Sequence, residues 1–308
     1  MRVFITGASG HIGSAVIPEL LGAGHQVVGL ARSDKSAAAL EAAGVEVQRG
    51  DLDDLETLKR AAADADGVIH LAFRHDLVFS GDGEGAVSAD LAVIDAIGSA
   101  LEGTGKAFVG VSGTAVLAWA GITDRPGTED DAVPGAHRRG AETNVIALAQ
   151  RGVRASVVRP GLVVHSDLDT TGSGFTPVLI GIARDKGVAA YVGDGANRLP
   201  AVNTYDAATV FRLAVESAPA GSRLHAAAEE VSFREFAEAI GRNLGVPTAS
   251  IAPEDAAEHF GFLGGFVLID NPTSSELTRR RFGWNPTHPG LIADLDQGHY
   301  FRQAPVTV

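Results

Sequence analysis

Thr6-Gly7-Ala8-Ser9-Gly10-His11-Ile12-Gly13, entered through the apolar run Val3-Phe4-Ile5, is the stretch whose reading decides the fold. A short β-branched run, a turn dense in glycine and the apolar-periodic residues 12–21 predict strand, tight turn and helix. Gly7 permits a turn that a Cβ would obstruct, Gly10 lets a phosphate approach the main chain, and Gly13 lets the helix pack closely on the strand. The unpaired N–H groups at the helix start, aided by its dipole, face the anion. Residues Gly7, Ala8, Ser9, Gly10, His11, Ile12 and Gly13 are therefore the expected cradle of a diphosphate. Three glycines alone describe many tight turns, but a second strand over residues 26–31 completes a βαβ unit around these.

Composition bounds the rest. A chain of 308 residues is long enough to bury roughly three quarters of its unfolded surface, so a sizeable core is available. With 45% hydrophobic and 20% charged residues it reads as a globular α/β protein rather than a disordered one. The net charge of -13 argues against nucleic acid and anionic membranes as partners. The absence of cysteine excludes disulfides, thiolate catalysis and cysteine-ligated metals, and no metal site is expected. No leader-like segment or membrane-length apolar run is present, so a cytoplasmic location is expected.

The opening T-G-x-x-G-x-[IL]-G resembles the short-chain dehydrogenase/reductase superfamily, in particular its extended and atypical branches of the NAD-dependent epimerase/dehydratase kind. The resemblance implies a nicotinamide cofactor and a second lobe for substrate. The alternation of predicted strands and helices through residue 164 independently describes an α/β Rossmann-type doubly wound parallel sheet. We expect residues 1–164 to form the dinucleotide-binding domain. Residues 165–308, with irregular loops and Phe175, Phe260, Phe262 and Phe266, should form a smaller C-terminal substrate lobe, some of whose segments return to the first sheet.

Strand two ends in Ala31-Arg32-Ser33, where a protein preferring NAD would offer an acid to the ribose hydroxyls. An arginine there pairs with a 2′-phosphate, so Arg32 and Ser33 predict NADP(H). Asp53, with Glu56 three residues on, reads as a helix N-cap. Asp51 and Leu52 match the family's G-D-[LIV], which the resemblance places beside adenine. Leu71, Ala72 and Phe73 match a segment that runs under the cofactor, and Pro160, Gly161, Leu162 and Val163 a turn that presses on the nicotinamide. His70, alternating with apolar neighbours, reads as a satisfied core histidine, and Arg279 to Arg281 as a solvated helix face. The adjacent Phe282-Gly283-Trp284-Asn285-Pro286 run resembles the family's closing element.

The superfamily usually stabilises the developing alkoxide with a Ser or Thr, a Tyr and a Lys as Y-x-x-x-K. Here the hydroxyl slot falls on Gly113, flanked by Ser112 and Thr114. Counting back from Glu142 puts Arg138 in the lysine slot and Pro134 in the tyrosine slot, and the three tyrosines, Tyr191, Tyr205 and Tyr300, all lie downstream. Arg138 can hold ribose hydroxyls but cannot donate a proton. The expected activity is therefore NADPH-dependent reduction of a ketone, with an apolar or aromatic carbonyl compound as substrate. A proton would come from substrate or solvent, or from Ser112, Thr114, His137 or His75. Atypical members of the angucyclinone ketoreductase type work in this way on polyketide quinones. An NADP(H)-binding sensor and a nucleotide-sugar epimerase or dehydratase are the alternatives, and the chain is expected to be a monomer or homodimer.

Overall fold

The computed structural model describes residues 1–133, 138–169 and 174–302. The strands in chain order are β1 (Arg2–Thr6), β2 (Gln26–Ala31), β3 (Glu46–Arg49), β4 (Gly67–His70), β5 (Ala107–Val111), β6 (Arg154–Pro160), β7 (Val163–His165), β8 (Ala189–Val192), β9 (Arg198–Asn203), β10 (Ser222–Ala226), β11 (Glu229–Ser232) and β12 (Thr248–Ile251). The helices are α1 (His11–Gly22), α2 (Asp34–Ala42), α3 (Leu55–Asp64), α4 (His75–Phe79), α5 (Gly83–Leu101), α6 (Ala115–Trp119), α7 (Arg138–Ala147), α8 (Phe175–Lys186), α9 (Thr204–Ser217), α10 (Phe233–Leu244), α11 (Ala256–Phe260), α12 (Glu276–Phe282) and α13 (Leu291–Asp296).

Seven strands form one parallel sheet in the order β10-β6-β5-β4-β1-β2-β3. The central strands β1, β2, β4 and β5 are largely apolar on both faces because both faces are covered, whereas the edge strand β3 is polar and part-exposed. Along β1, Val3 and Ile5 enter the core shared with α1 and α9, whereas Phe4 enters the core shared with α3, α5 and α7. The strand order reverses beside β1, between β2 and β4, so a crevice opens at the carboxyl ends of these strands. This is the expected doubly wound architecture.

The second half is not a separate run of chain. After β7, residues 175–203 build part of a second lobe, α9 and β10 return to the main sheet beside β6, and residues 229–263 go back to the lobe. Its core joins Phe233, Phe236 and Phe260 with Leu179 and Ile240 around the small sheets β11-β9-β7 and β12-β8.

Local chemistry moves two expected features. The cap of α3 is Asp54, which accepts from the Thr57 N–H at 3.1 Å, rather than Asp53. The cap of α5 is Asp82, which accepts from the Gly85 N–H at 2.8 Å. Arg279 is not solvated: it bonds Ser275 and the Ala228 carbonyl and lies over the Trp284 ring, while Arg280 and Arg281 face outward.

Candidate functional site

The glycine loop closes the crevice end of β1. Gly7 has φ +71°, and a Cβ there would stand 2.7 Å from the Ala72 nitrogen; one on Gly13 would stand 2.3 Å from the Gly7 carbonyl oxygen. Gly10 caps α1 with ordinary φ of -83°, and its added Cβ would meet only the Gly7 oxygen at 3.2 Å. Its outer side is open. The first turn of α1 holds no acid and receives no side-chain cap, so its N–H groups remain for an anion. These residues fit a diphosphate.

Beyond β2, Arg32 is exposed, and Arg49 of β3 sits in register with Ala31. The Ser33 hydroxyl accepts from the Ser36 N–H in a capping box, so its first duty is to start α2. Asp34 follows Ser33, but its carboxylate is paired with Arg49, which also donates to the Ser33 carbonyl at 2.8 Å. Asp51 Oδ1 accepts from the N–H groups of Asp53 and Asp54 at 2.9 and 3.1 Å, bracing the turn into α3. Arg74 bridges Asp53 and Asp76 across the loops after β3 and β4. Leu52 is half-buried beside them.

Between this crevice and the second lobe lies a cavity of about 350 Å³. It gathers residues far apart in sequence: Ile12 of α1, Leu71, Ala72, Phe73 and His75 after β4, Ser112, Gly113 and Thr114 after β5, and Pro160 at the end of β6 with Gly161 and Leu162 after it. Val163 does not line it, because its side chain is wholly buried in the second lobe's core. Trp119 and Phe266, edge to face with centroids 5.6 Å apart, contribute from α6 and the second lobe.

The candidate proton donors separate on inspection. Ser112 Oγ is buried on the cavity wall and has no partner among the described residues. Thr114 is wholly buried, and its hydroxyl is bonded to the Asn271 side chain at 3.0 Å. With its amide oxygen toward Thr114, Asn271 accepts from that hydroxyl and from the Ala115 N–H, which makes Thr114 a structural tie to the second lobe. His75 borders the cavity with its ring edge-on to Phe73, centroids 5.2 Å apart. His137, Pro134 and the side chain of Arg138 lie outside the described residues. Glu142, on the same helix as Arg138, is buried against Arg159 at 2.6 Å and Arg223 at 2.7 Å, fixing α7 to β6 and β10. Burial pushes its carboxyl up, but the two guanidinium groups outweigh this and hold its pKa below the usual value.

His70 is satisfied, as expected, though it borders the cavity together with one partner, Asp90: Nδ1 meets Thr6 Oγ1 at 2.6 Å and Nε2 meets Asp90 Oδ1 at 3.0 Å. A second buried polar group ties the glycine loop to the second lobe. His11 Nε2 meets Thr204 Oγ1 at 2.7 Å, and the Ser166 hydroxyl donates to the same oxygen. His11 Nδ1 stands 3.7 Å from Asp169. Burial, reinforced by His165, lowers the His11 pKa to about 4, and burial, reinforced by Asp294, raises Asp169 to about 7. Near pH 6 both are neutral, so this approach is not an ion pair. Sequence reading misses Asp90, Asp169 and Asn271 because an isolated Asp or Asn in an apolar-periodic segment or a loop carries no motif.

Comparison with known proteins decides the family. Residues 3–226 match the model of the family described as "NAD dependent epimerase/dehydratase family". The chain belongs to this family. An uncharacterized protein of Schizosaccharomyces pombe is 47% identical over 304 residues, covering 98% of this chain and all of that protein. The 4-hydroxy-2-methyl-3-oxo-4-farnesyl-3,4-dihydroquinoline-1-oxide ketoreductase of Stigmatella aurantiaca is 38% identical over 72 residues, 23% of this chain and 22% of that protein. Among solved structures, the dTDP-glucose 4,6-dehydratase DesIV of Streptomyces venezuelae, with NAD and TYD bound, is similar with a TM-score of 0.74, 20% identity and coverage of 98% of this chain and 97% of that one. The likeness of fold extends over 98% of the chain, second lobe included. Among the described residues no helix is long and apolar enough to cross a membrane.

Proposed function

We propose that this member of the epimerase/dehydratase family is an NADP(H)-dependent reductase of ketones whose substrates are largely apolar or aromatic. The observation that carries the reading is the cavity: it lies against Ile12 and Pro160 to Leu162, is walled by Phe73, Trp119, Phe266 and aliphatic side chains, and has no tyrosine in its lining among the described residues. When bound, the dinucleotide supplies or accepts hydride. The glycine loop and α1 N-terminus hold its diphosphate, Arg32 with Arg49 beside it favours a 2′-phosphate, and Ser112 hydrogen-bonds the carbonyl oxygen to position it. The Trp119–Phe266 wall excludes water from one side. With Thr114 engaged by Asn271, the proton comes from the substrate or from solvent. The partial likeness to a ketoreductase is consistent with this.

Nucleotide-sugar epimerisation or dehydration is the second reading, favoured by DesIV. It is ranked lower because the sugar chemistry of this fold leans on the tyrosine, and because an apolar wall gives sugar hydroxyls few partners. Incubation of the purified protein with NADPH and a panel of aromatic ketones and quinones, and in parallel with UDP- and dTDP-sugars, distinguishes them. Ketone-dependent consumption of NADPH supports reduction. Sugar interconversion without it overturns the reading, and tight NADPH binding with no turnover assigns a sensor.

A further inference from the structure

The cavity contains a carboxylate that the reductase reading does not use. Asp90 of α5 lines it, and one of its oxygens accepts from His70 Nε2 at 3.0 Å. In a neutral imidazole facing a carboxylate the proton sits on Nε2, since an unprotonated Nε2 would face the carboxylate lone pair to lone pair. His70 Nδ1 is then the acceptor for the Thr6 hydroxyl at 2.6 Å, while Thr6 Oγ1 accepts from the Ala72 N–H at 3.3 Å. Three elements, β1, β4 and α5, thus hold one oxygen of Asp90 in place. No further hydrogen bond to Asp90 exists among the described residues. Its side chain is 12% exposed, so its remaining acceptor capacity meets little water and borders an otherwise mainly apolar space. An acceptor left in that state is satisfied by a ligand that brings a donor.

From this we infer that Asp90 is a specificity residue, oriented by His70 and Thr6, that selects carbonyl substrates bearing a hydroxyl or enol group a few bonds from the carbonyl. Ser112, whose hydroxyl has no described protein partner, is the second polar group on the same wall. A hydroxyl suits Asp90 better than an ammonium does. One carboxylate already shared with His70 leaves too few acceptors to replace the water of a fully charged ligand in an apolar cavity. The inference rests on the reductase reading for the occupant of the cavity, and its test is a binding measurement that needs no turnover.

Calorimetric titration of the NADP⁺-loaded protein with α-tetralone and its 5-, 6- and 7-hydroxy and methoxy derivatives provides that test. At least one hydroxytetralone should bind on the order of 10- to 100-fold more tightly than its methoxy and unsubstituted counterparts. Asp90→Asn, whose carbonyl takes the His70 N–H and turns an NH₂ donor to the cavity, should abolish the preference while keeping the affinity for α-tetralone and NADP⁺. Asp90→Ser should do the same, so that a folding defect of one variant leaves the other to decide. Equal binding of hydroxy and methoxy compounds overturns the inference alone, as does a preference that survives in both variants or a loss confined to NADP⁺ affinity. Failure of every tetralone to bind the loaded protein overturns the reductase reading together with it.

Discussion

Asp169 shows what a single buried side chain does to the molecule. It is 2% exposed, and neither carboxylate oxygen has a hydrogen-bond partner among the described residues, so the charged form is penalised and its pKa rises from 3.8 to about 7. A carboxyl whose folded pKa exceeds its unfolded one stabilises the fold fully below pH 3.8, and that stability is lost as pH rises through about 7, by an amount on the order of a few kcal/mol. His11 works in the opposite sense: its folded pKa is lowered, so its contribution is present above 6.5 and is lost as pH falls through about 4. Comparing Asp169→Asn with the unmodified protein at each pH isolates the carboxyl. The melting temperature of the variant relative to the parent should rise by several degrees from pH 5 to pH 8. An offset equal at both pH values contradicts the assignment. Arg32→Ala should weaken NADPH by roughly 2 kcal/mol and NADH much less, because a bidentate phosphate contact is lost; equal losses measured by calorimetry contradict the 2′-phosphate role. The turn at Gly7 and the close packing at Gly13 were readable because they follow from local backbone geometry. The uses of Thr114 and Asp90 were not, since Asn271 is 157 residues from Thr114 and His70 is 20 from Asp90, and only the fold brings them together.

Among the elements, α1 decides whether a cofactor is held. Its uncapped first turn and the open side of Gly10 form a receptor for an anion with little other hindrance. Gly10→Val should abolish cofactor binding while the melting temperature and circular dichroism stay near those of the parent, because Gly10 has φ of -83° and needs no left-handed conformation. Retained calorimetric binding shows that the loop is merely a turn. Gly13 cannot serve as this test, since its Cβ would also collide with the loop carbonyls. The main-sheet elements before residue 165 were legible because strands buried on both faces give continuous apolar runs, whereas the cap of α3 was off by one residue, Asp54 for Asp53. Beyond residue 165 the signals fade. The strands β7 to β12 are three to six residues long and belong to three different sheets.

At the scale of the molecule, the fold leaves a largely apolar cavity where the first sheet's carboxyl edge meets the second lobe, with the family's tyrosine missing from its described lining. The central claim is that carbonyl reduction occurs there without an acidic side chain. It is tested most directly by the kcat for NADPH-dependent ketone reduction in Ser112→Ala, His75→Ala and His137→Ala, each compared with the parent at saturating NADPH. The account predicts that every variant keeps its rate within about tenfold, the residual effect being positioning. A loss of about 10³ or more in any one of them, with NADPH affinity unchanged, identifies a side-chain proton donor and contradicts it.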